Sequence, residues 1–129
     1  MLVLDASAAV DLLLGDELGR RVGVVLATDD VVAPELLDVE VLSALARHVR
    51  AGELQPDQAD SRVRTLRRLP ARRIAHQPLL TRAWELRPRV RVADAFYVAC
   101  AELLGATLVT TDGRLSRAVP SGVTVTFLS

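Results

Sequence analysis

Two short β-forming runs in this chain each stop at an aspartate. Met1-Leu-Val-Leu4 ends at Asp5, and Thr107-Leu-Val-Thr-Thr111 ends at Asp112. Helix-forming stretches separate these runs, and short apolar strands alternating with helices indicate an α/β sandwich around a mostly parallel sheet. The last such unit is the clearest. Ala and Leu favour a helix from about Asp94 to Leu104, Gly105 suits the position just past its end, and the β-branched run that follows suits a strand.

The remaining elements follow from the same signals. Ala6–Leu14 and Glu17–Ala27 read as helices, with a turn at 28–30 and a brief strand at Val31–Ala33 ending at Pro34. Leu37, Val41, Leu45 and Val49 recur every four residues, so a helix over Glu35–Arg50 presents one face to the core. Pro56 opens a further helix to about Leu69, Arg73–His76 reads as a short strand, and Pro78–Leu86 as a helix. A turn of helix over Leu115–Val119 and a strand over Val123–Phe127 finish the chain. The length, 129 residues, suits one domain spanning 1–129. With four aromatic residues, the core must be built from Leu, Val and Ala; Trp84, Phe96 and Tyr97 are expected within it.

Charge is balanced overall but unevenly distributed. Residues 1–46 carry a net −7, residues 47–91 a net +8 and residues 92–129 a net −1. Such asymmetry suggests a basic surface joined to an acidic pocket, with solvated helix faces as the plainer reading. All sixteen basic residues are Arg, which excludes every mechanism that needs a lysine. The single Cys100 allows no disulfide within the chain and reads as a small buried hydrophobe. Asp5 and Asp11 interrupt the N-terminal apolar run, and no run approaches the roughly 18 residues of a membrane span. A cytoplasmic domain without membrane association is expected.

Asp5 and Asp112 follow strands, and in open parallel sheets ligands bind beyond the carboxyl ends of the strands. Glu40 sits in Leu36-Leu-Asp-Val-Glu-Val-Leu42 and Asp94 among Val92, Ala93, Ala95 and Phe96. Burying a carboxylate is costly unless it is paired or holds a cation. Taken singly, Asp5 and Asp94 read as helix caps, Glu40 as an edge residue and Asp112 as a turn. Together, four acids at one edge make an all-oxygen set suited to Mg²⁺ or Mn²⁺ and to metal-assisted phosphodiester hydrolysis. Without metal they repel, so at least one should have a raised pKa. Ser7 lies two residues past Asp5, and Thr110 two before Asp112. Their hydroxyls are placed to orient the carboxylates.

Leu2-Val-Leu-Asp-Ala-Ser-Ala-Ala9, Pro34-Glu-Leu-Leu-Asp-Val-Glu-Val-Leu-Ser-Ala-Leu45, Ala93-Asp-Ala95 and Leu108-Val-Thr-Thr-Asp112 resemble, in order, spacing and apolar context, the PIN domain. More narrowly they resemble the VapC toxins of bacterial toxin–antitoxin pairs. The resemblance implies a three-layer α/β/α sandwich and a Mg²⁺- or Mn²⁺-dependent endoribonuclease. It also implies a homodimer restrained by a VapB-type antitoxin. It assigns the acids to Asp5, Glu40, Asp94 and Asp112 and the hydroxyl residues to Ser7 and Thr110. Many relatives carry a further acid where this chain has Gly113-Arg114, so one resident metal, joined by a second arriving with substrate, is expected.

Phosphatases and receiver domains that use an Asp and a Lys are excluded by the missing lysine. A metal-free ribonuclease would want His as acid and base, and His48 and His76, both in Arg-rich settings, are read as surface or structural residues. The alternative from another class is a non-catalytic RNA- or protein-binding module of the same fold, against which the intact acids argue. Arg62, Arg64, Arg67, Arg68, Arg72 and Arg73 are candidate phosphate contacts, which position RNA without reading its sequence.

Overall fold

The computed structural model describes residues 1–129. In chain order it contains β1 (Leu2–Leu4), α1 (Ala6–Leu14), α2 (Glu17–Leu26), β2 (Val31–Pro34), α3 (Leu36–Arg50), α4 (Pro56–Arg68) and β3 (Ala71–Ile74). A 3-10 turn (Gln77–Leu79) then leads into α5 (Leu80–Glu85), α6 (Val92–Leu104), β4 (Thr107–Thr110), α7 (Gly113–Ala118) and β5 (Val125–Phe127). The five strands form one sheet in the order β3-β2-β1-β4-β5, and every pairing is parallel.

That order follows from chain handedness. From β1 the chain steps outward to β2 and β3, with α1 to α4 as crossovers. It then returns past β1 through α5 and α6 to lay down β4 and β5. Parallel crossovers are right-handed, so the two directions of travel put their helices on opposite faces. The sheet is thereby covered twice, giving the three layers. The direction reverses between β1 and β4, where Leu2, Val3 and Leu4 pair with Thr107, Leu108 and Val109. The crevice beyond the carboxyl ends of these two strands is the place where such sheets bind ligands.

Burial explains the composition. Val3, Leu4, Val32, Leu108 and Val109 in the sheet are buried, as are Leu37, Val41 and Leu45 on the predicted face of α3. Ala95, Val98, Ala99 and Ala101 make α6 a buried helix whose small side chains let it lie close over β1, β2 and β4. Cys100 is fully buried there, and burial pushes its thiol up to about 11, so it behaves as a small apolar residue. Gly105 closes α6 at φ 59°, a left-handed conformation that a side chain would strain. No helix is long and apolar enough to cross a membrane.

Several boundaries differ from the sequence reading. The third strand is Ala71–Ile74 rather than Arg73–His76, because pairing with β2 runs from Val31↔Ala71 to Pro34↔Ile74. His76 instead accepts a hydrogen bond through Nε2 from the backbone N–H of Leu36, at 2.9 Å, and so serves the start of α3. Helix α6 begins at Val92, which puts Asp94 in its first turn instead of at its cap. Helix α7 begins at Gly113 because Asp112 caps it. Trp84 lies outside the core, with the Arg87 guanidinium stacked 4.1 Å from its ring centroid. Phe96 is only partly buried, against His76.

One glycine is fixed by close approach. Gly19 in α2 lies against α1, where an added Cβ would sit 1.9 Å from the carbonyl oxygen of Asp11. A backbone atom cannot swing aside, so α2 would have to move. Gly19→Ala is expected to cost about 1–3 kcal/mol and to lower the melting temperature by several degrees in a calorimetric scan. An unchanged melt would show that α1 and α2 have room to spare.

Candidate active site

Asp5 is the last residue before α1 and its cap, with only 3% of its surface exposed. Its backbone N–H donates to Val109 of β4 at 3.2 Å, so it stays in register with the neighbouring strand. Its carboxylate Oδ1 accepts from the Ala8 N–H at 2.9 Å and from Ser7 Oγ at 2.8 Å. The other oxygen, Oδ2, accepts from Thr110 Oγ1 at 2.6 Å, with Ser7 Oγ at 3.0 Å.

The two hydroxyls also accept. Ser7 Oγ receives the Thr111 N–H at 3.2 Å, and Thr110 Oγ1 receives the Asp112 N–H at 3.0 Å. Each hydroxyl therefore ties the Asp5 carboxylate to the loop that carries Asp112. Asp112 in turn accepts the N–H groups of Arg114 and Leu115 at 2.9 and 3.2 Å through Oδ1.

The other two acids come from opposite helices. Glu40 lies in the second turn of α3 and accepts a hydrogen bond from the buried Tyr97 hydroxyl of α6 at 2.7 Å. Asp94 pairs with Arg91, whose Nε lies 3.1 Å from Oδ2. Asp5, Glu40, Asp94 and Asp112 all line one cleft of about 350 Å³, together with Ser7, Asp11, Arg47, His48, Arg91 and Tyr97. The four sequence-predicted acids are thus brought to one place at the β1–β4 reversal. They line a groove: no three Asp, Glu, His or Cys side chains close into a ready-made metal cage.

The electrostatics are those of an acid-rich groove short of cations. Burial pushes the Asp5 carboxyl up to about 6, against its hydrogen bonds from Thr110, Ala8 and Ser7, with Asp94 adding repulsion. A raised carboxyl was expected from repulsion, but desolvation is its leading cause here. The Arg91 guanidinium is held more firmly charged by its hydrogen bond to Asp94, and Glu40 and Asp112 add to that field. Asp5, Glu40 and Asp112 have no cationic side chain as partner; the arginine ion pairs are made by Arg73, Arg82 and Arg91. Hard oxygen donors without a cation fit a hard divalent ion by their chemistry.

Five cleft residues escaped the sequence reading, among them Arg91, three residues before Asp94. Asp11 accepts a hydrogen bond from Thr111 Oγ1 at 2.7 Å. Its position four residues after Ser7 on one helix face was the available signal. Tyr97 stands three residues after Asp94, and Arg47 and His48 stand two helical turns after Glu40. The six candidate phosphate contacts, by contrast, lie outside the cleft lining. Arg73 is committed within the fold: its guanidinium binds Asp38 in a two-pronged pair and donates to the carbonyls of Leu66, Leu69 and Ala71. Arg64, Arg67, Arg68 and Arg72 are exposed, and Arg62 is half-buried with its Nε unpartnered.

The PIN domain family model matches residues 2–119. The chain is 45% identical over 120 residues to Ribonuclease VapC3 of Mycobacterium tuberculosis, covering 92% of this chain and 88% of that protein. It is 42% identical over 117 residues to Ribonuclease VapC12 of the same organism, covering 91% of each. Among solved structures, it resembles VapC20 of Mycobacterium tuberculosis, a toxin that cleaves the sarcin-ricin loop. The TM-score is 0.71 at 19% identity, with 96% of this chain and 99% of that one covered. It also resembles a chain of VapBC2 from Rickettsia felis bound to a promoter DNA fragment, with a TM-score of 0.73 at 13% identity and 99% and 98% covered.

The Asp5 environment has a testable sign. Its folded pKa lies above the ordinary carboxyl value of 3.8, so the folded state holds the proton more tightly than the unfolded one. Stability from this group is present below pH 4 and is lost as pH rises to about 6, by roughly 3 kcal/mol. Asp5→Asn cannot titrate there. In urea denaturation with EDTA, wild type should lose about that much relative to Asp5→Asn between pH 4 and pH 7. A flat difference would show that burial does not govern this carboxyl.

Proposed function

This chain belongs to the PIN-domain family and groups there with the VapC ribonucleases, and on that premise we propose that it is a metal-dependent endoribonuclease acting as the toxin of a type II toxin–antitoxin pair. The observation that carries the reading is the single cleft lined by Asp5, Glu40, Asp94 and Asp112, three of which lack a cationic partner.

Asp5, Glu40, Asp94 and Asp112 would hold Mg²⁺ or Mn²⁺, which when bound supplies water activation and charge neutralisation at the phosphate. The chain's own residues fix the donors. Ser7 and Thr110 hold both Asp5 oxygens and leave its carboxylate one orientation. Thr110 also sets the Asp112 backbone, so these two acids move together. Tyr97 directs Glu40 by occupying one of its oxygens. Arg91 steadies Asp94 and offsets part of the negative field that would repel a phosphodiester. The surrounding residues thus hold the donors before any ligand arrives.

Likeness to the VapBC2 structure supports a VapB-type antitoxin as partner, and a homodimer is proposed with it. RNA is the proposed substrate. Arg62, Arg64, Arg67, Arg68 and Arg72 would serve as sequence-independent phosphate contacts outside the cleft, whereas Arg73 is held in a structural role by Asp38.

Asp112→Asn and Glu40→Gln should each lower Mn²⁺-supported RNA cleavage at least about a hundredfold. Both substitutions nearly preserve shape, so the metal-free melting temperature should stay within a few degrees of wild type. Mn²⁺ should raise the wild-type melting temperature and raise each variant's less, since binding to the folded state alone stabilises it. Full cleavage by Glu40→Gln, with an undiminished Mn²⁺ shift, would remove Glu40 from the site.

A further inference from the structure

The cleft has a basic end, and it lies on the same helix as one of the acids. Glu40, Ala44, Arg47 and His48 all line it, and their spacing of four, seven and eight residues keeps them on one face of α3. Arg47 and His48 stand about 11–12 Å along the helix axis from Glu40. That offset gives Arg47 and Glu40 separate stations along the groove. Between the two ends the wall is low and apolar, made by Ala44 of α3 and Val10 of α1.

Arg47 is exposed and is absent from every ion pair of the chain, whereas the other cleft arginine, Arg91, is taken by Asp94. His48 presents Nδ1 to Glu53 at 3.5 Å, which leaves Nε2 for another partner. A basic residue in the last turn of a helix offsets the helix dipole. Arg47 shares that last turn of α3 with His48 and Arg50, and of the two arginines there only Arg47 lines the cleft. A guanidinium suits a phosphate because its fork donates two parallel hydrogen bonds.

We infer that Arg47, assisted by His48, binds a backbone phosphate flanking the scissile one, so that the RNA strand crosses the cleft from Glu40 toward the C-terminal end of α3. The inference rests on the nuclease reading and adds a direction to it. The strand lies along α3, its reacting phosphate is at the acidic end and a neighbouring phosphate is at the cationic end. Ala44 and Val10 between them leave room for the intervening sugar. Arg47 touches no reacting atom and acts as a positioning residue.

The test couples one protein cation to one RNA charge. A short RNA with a single cleavage site is made as a series in which each linkage in turn is a neutral methylphosphonate. Binding is followed by fluorescence anisotropy with Ca²⁺ in place of Mg²⁺, for wild type, Arg47→Ala and Arg47→Lys. Wild type should lose about tenfold in affinity when one particular flanking linkage is neutralised. Arg47→Ala should bind the fully charged RNA about tenfold more weakly and lose nothing further at that linkage. Its slope of log affinity against log salt should fall by about 0.7. Arg47→Lys should recover part of the affinity, and cleavage with Mn²⁺ should show the loss in KM more than in kcat.

Equal losses for wild type and Arg47→Ala at every linkage would overturn the inference, as would an unchanged salt slope. Mn²⁺ cleavage by wild type, run in parallel, separates the two readings. Cleavage without coupling defeats the Arg47 assignment alone. Coupling without cleavage keeps the phosphate site and defeats the nuclease reading.

Discussion

The buried carboxylate of Asp5 is the constraint on which this structure turns. An acid taken out of water must be satisfied by donors or charge, and this one takes its donors from Ser7 and Ala8 of α1 and from Thr110 of β4. Those bonds hold the start of a helix and the end of a strand more than a hundred residues away in sequence. They also fix the Asp112 loop, because the hydroxyls that donate to Asp5 accept from its backbone. Loss of any one donor leaves a desolvated oxygen short of a partner, at about 1–3 kcal/mol. Because these donors are neutral, Asp5 is satisfied with no positive charge bonded to it.

What the sequence disclosed were local facts. Short β-branched runs announced β1, β2 and β4, and the four-residue recurrence of Leu37, Val41 and Leu45 announced the buried face of α3. Asp5 and Asp112 were legible because each ends a strand, and Ser7 and Thr110 because two-residue spacing ties them to those acids. Glu40 and Asp94 showed as acids in apolar company. Their convergence needed the topology, and the family resemblance made it an expectation.

The residues that stayed hidden depend on helix rotation or on distant partners. Tyr97 reads as core and is core, yet its hydroxyl reaches Glu40 on another helix. Arg73 looks like any other arginine in a basic segment until Asp38 is found beside it. Trp84 sits in a helix too short for periodicity to say which side faces out. The charge asymmetry was visible, but its meaning was not. The acidic first third supplies Asp5, Asp11 and Glu40 to the cleft, while Arg47 and His48 enter it on the same helix as Glu40.

The position of β1 in the middle of the sheet has a consequence for biosynthesis. A ribosome releases the chain from its N-terminus, so β1, β2 and β3 emerge with one side of β1 bare. Only when residues 107–112 appear can β4 take that place, supply the Thr110 hydroxyl to Asp5 and bring Asp112 to the cleft. A nascent or stalled chain ending earlier carries Asp5, Glu40 and Asp94 but no assembled groove. For an enzyme whose proposed substrate is RNA, the order of strands withholds the cleft from the machine that is making it until β4 and Asp112 have been made.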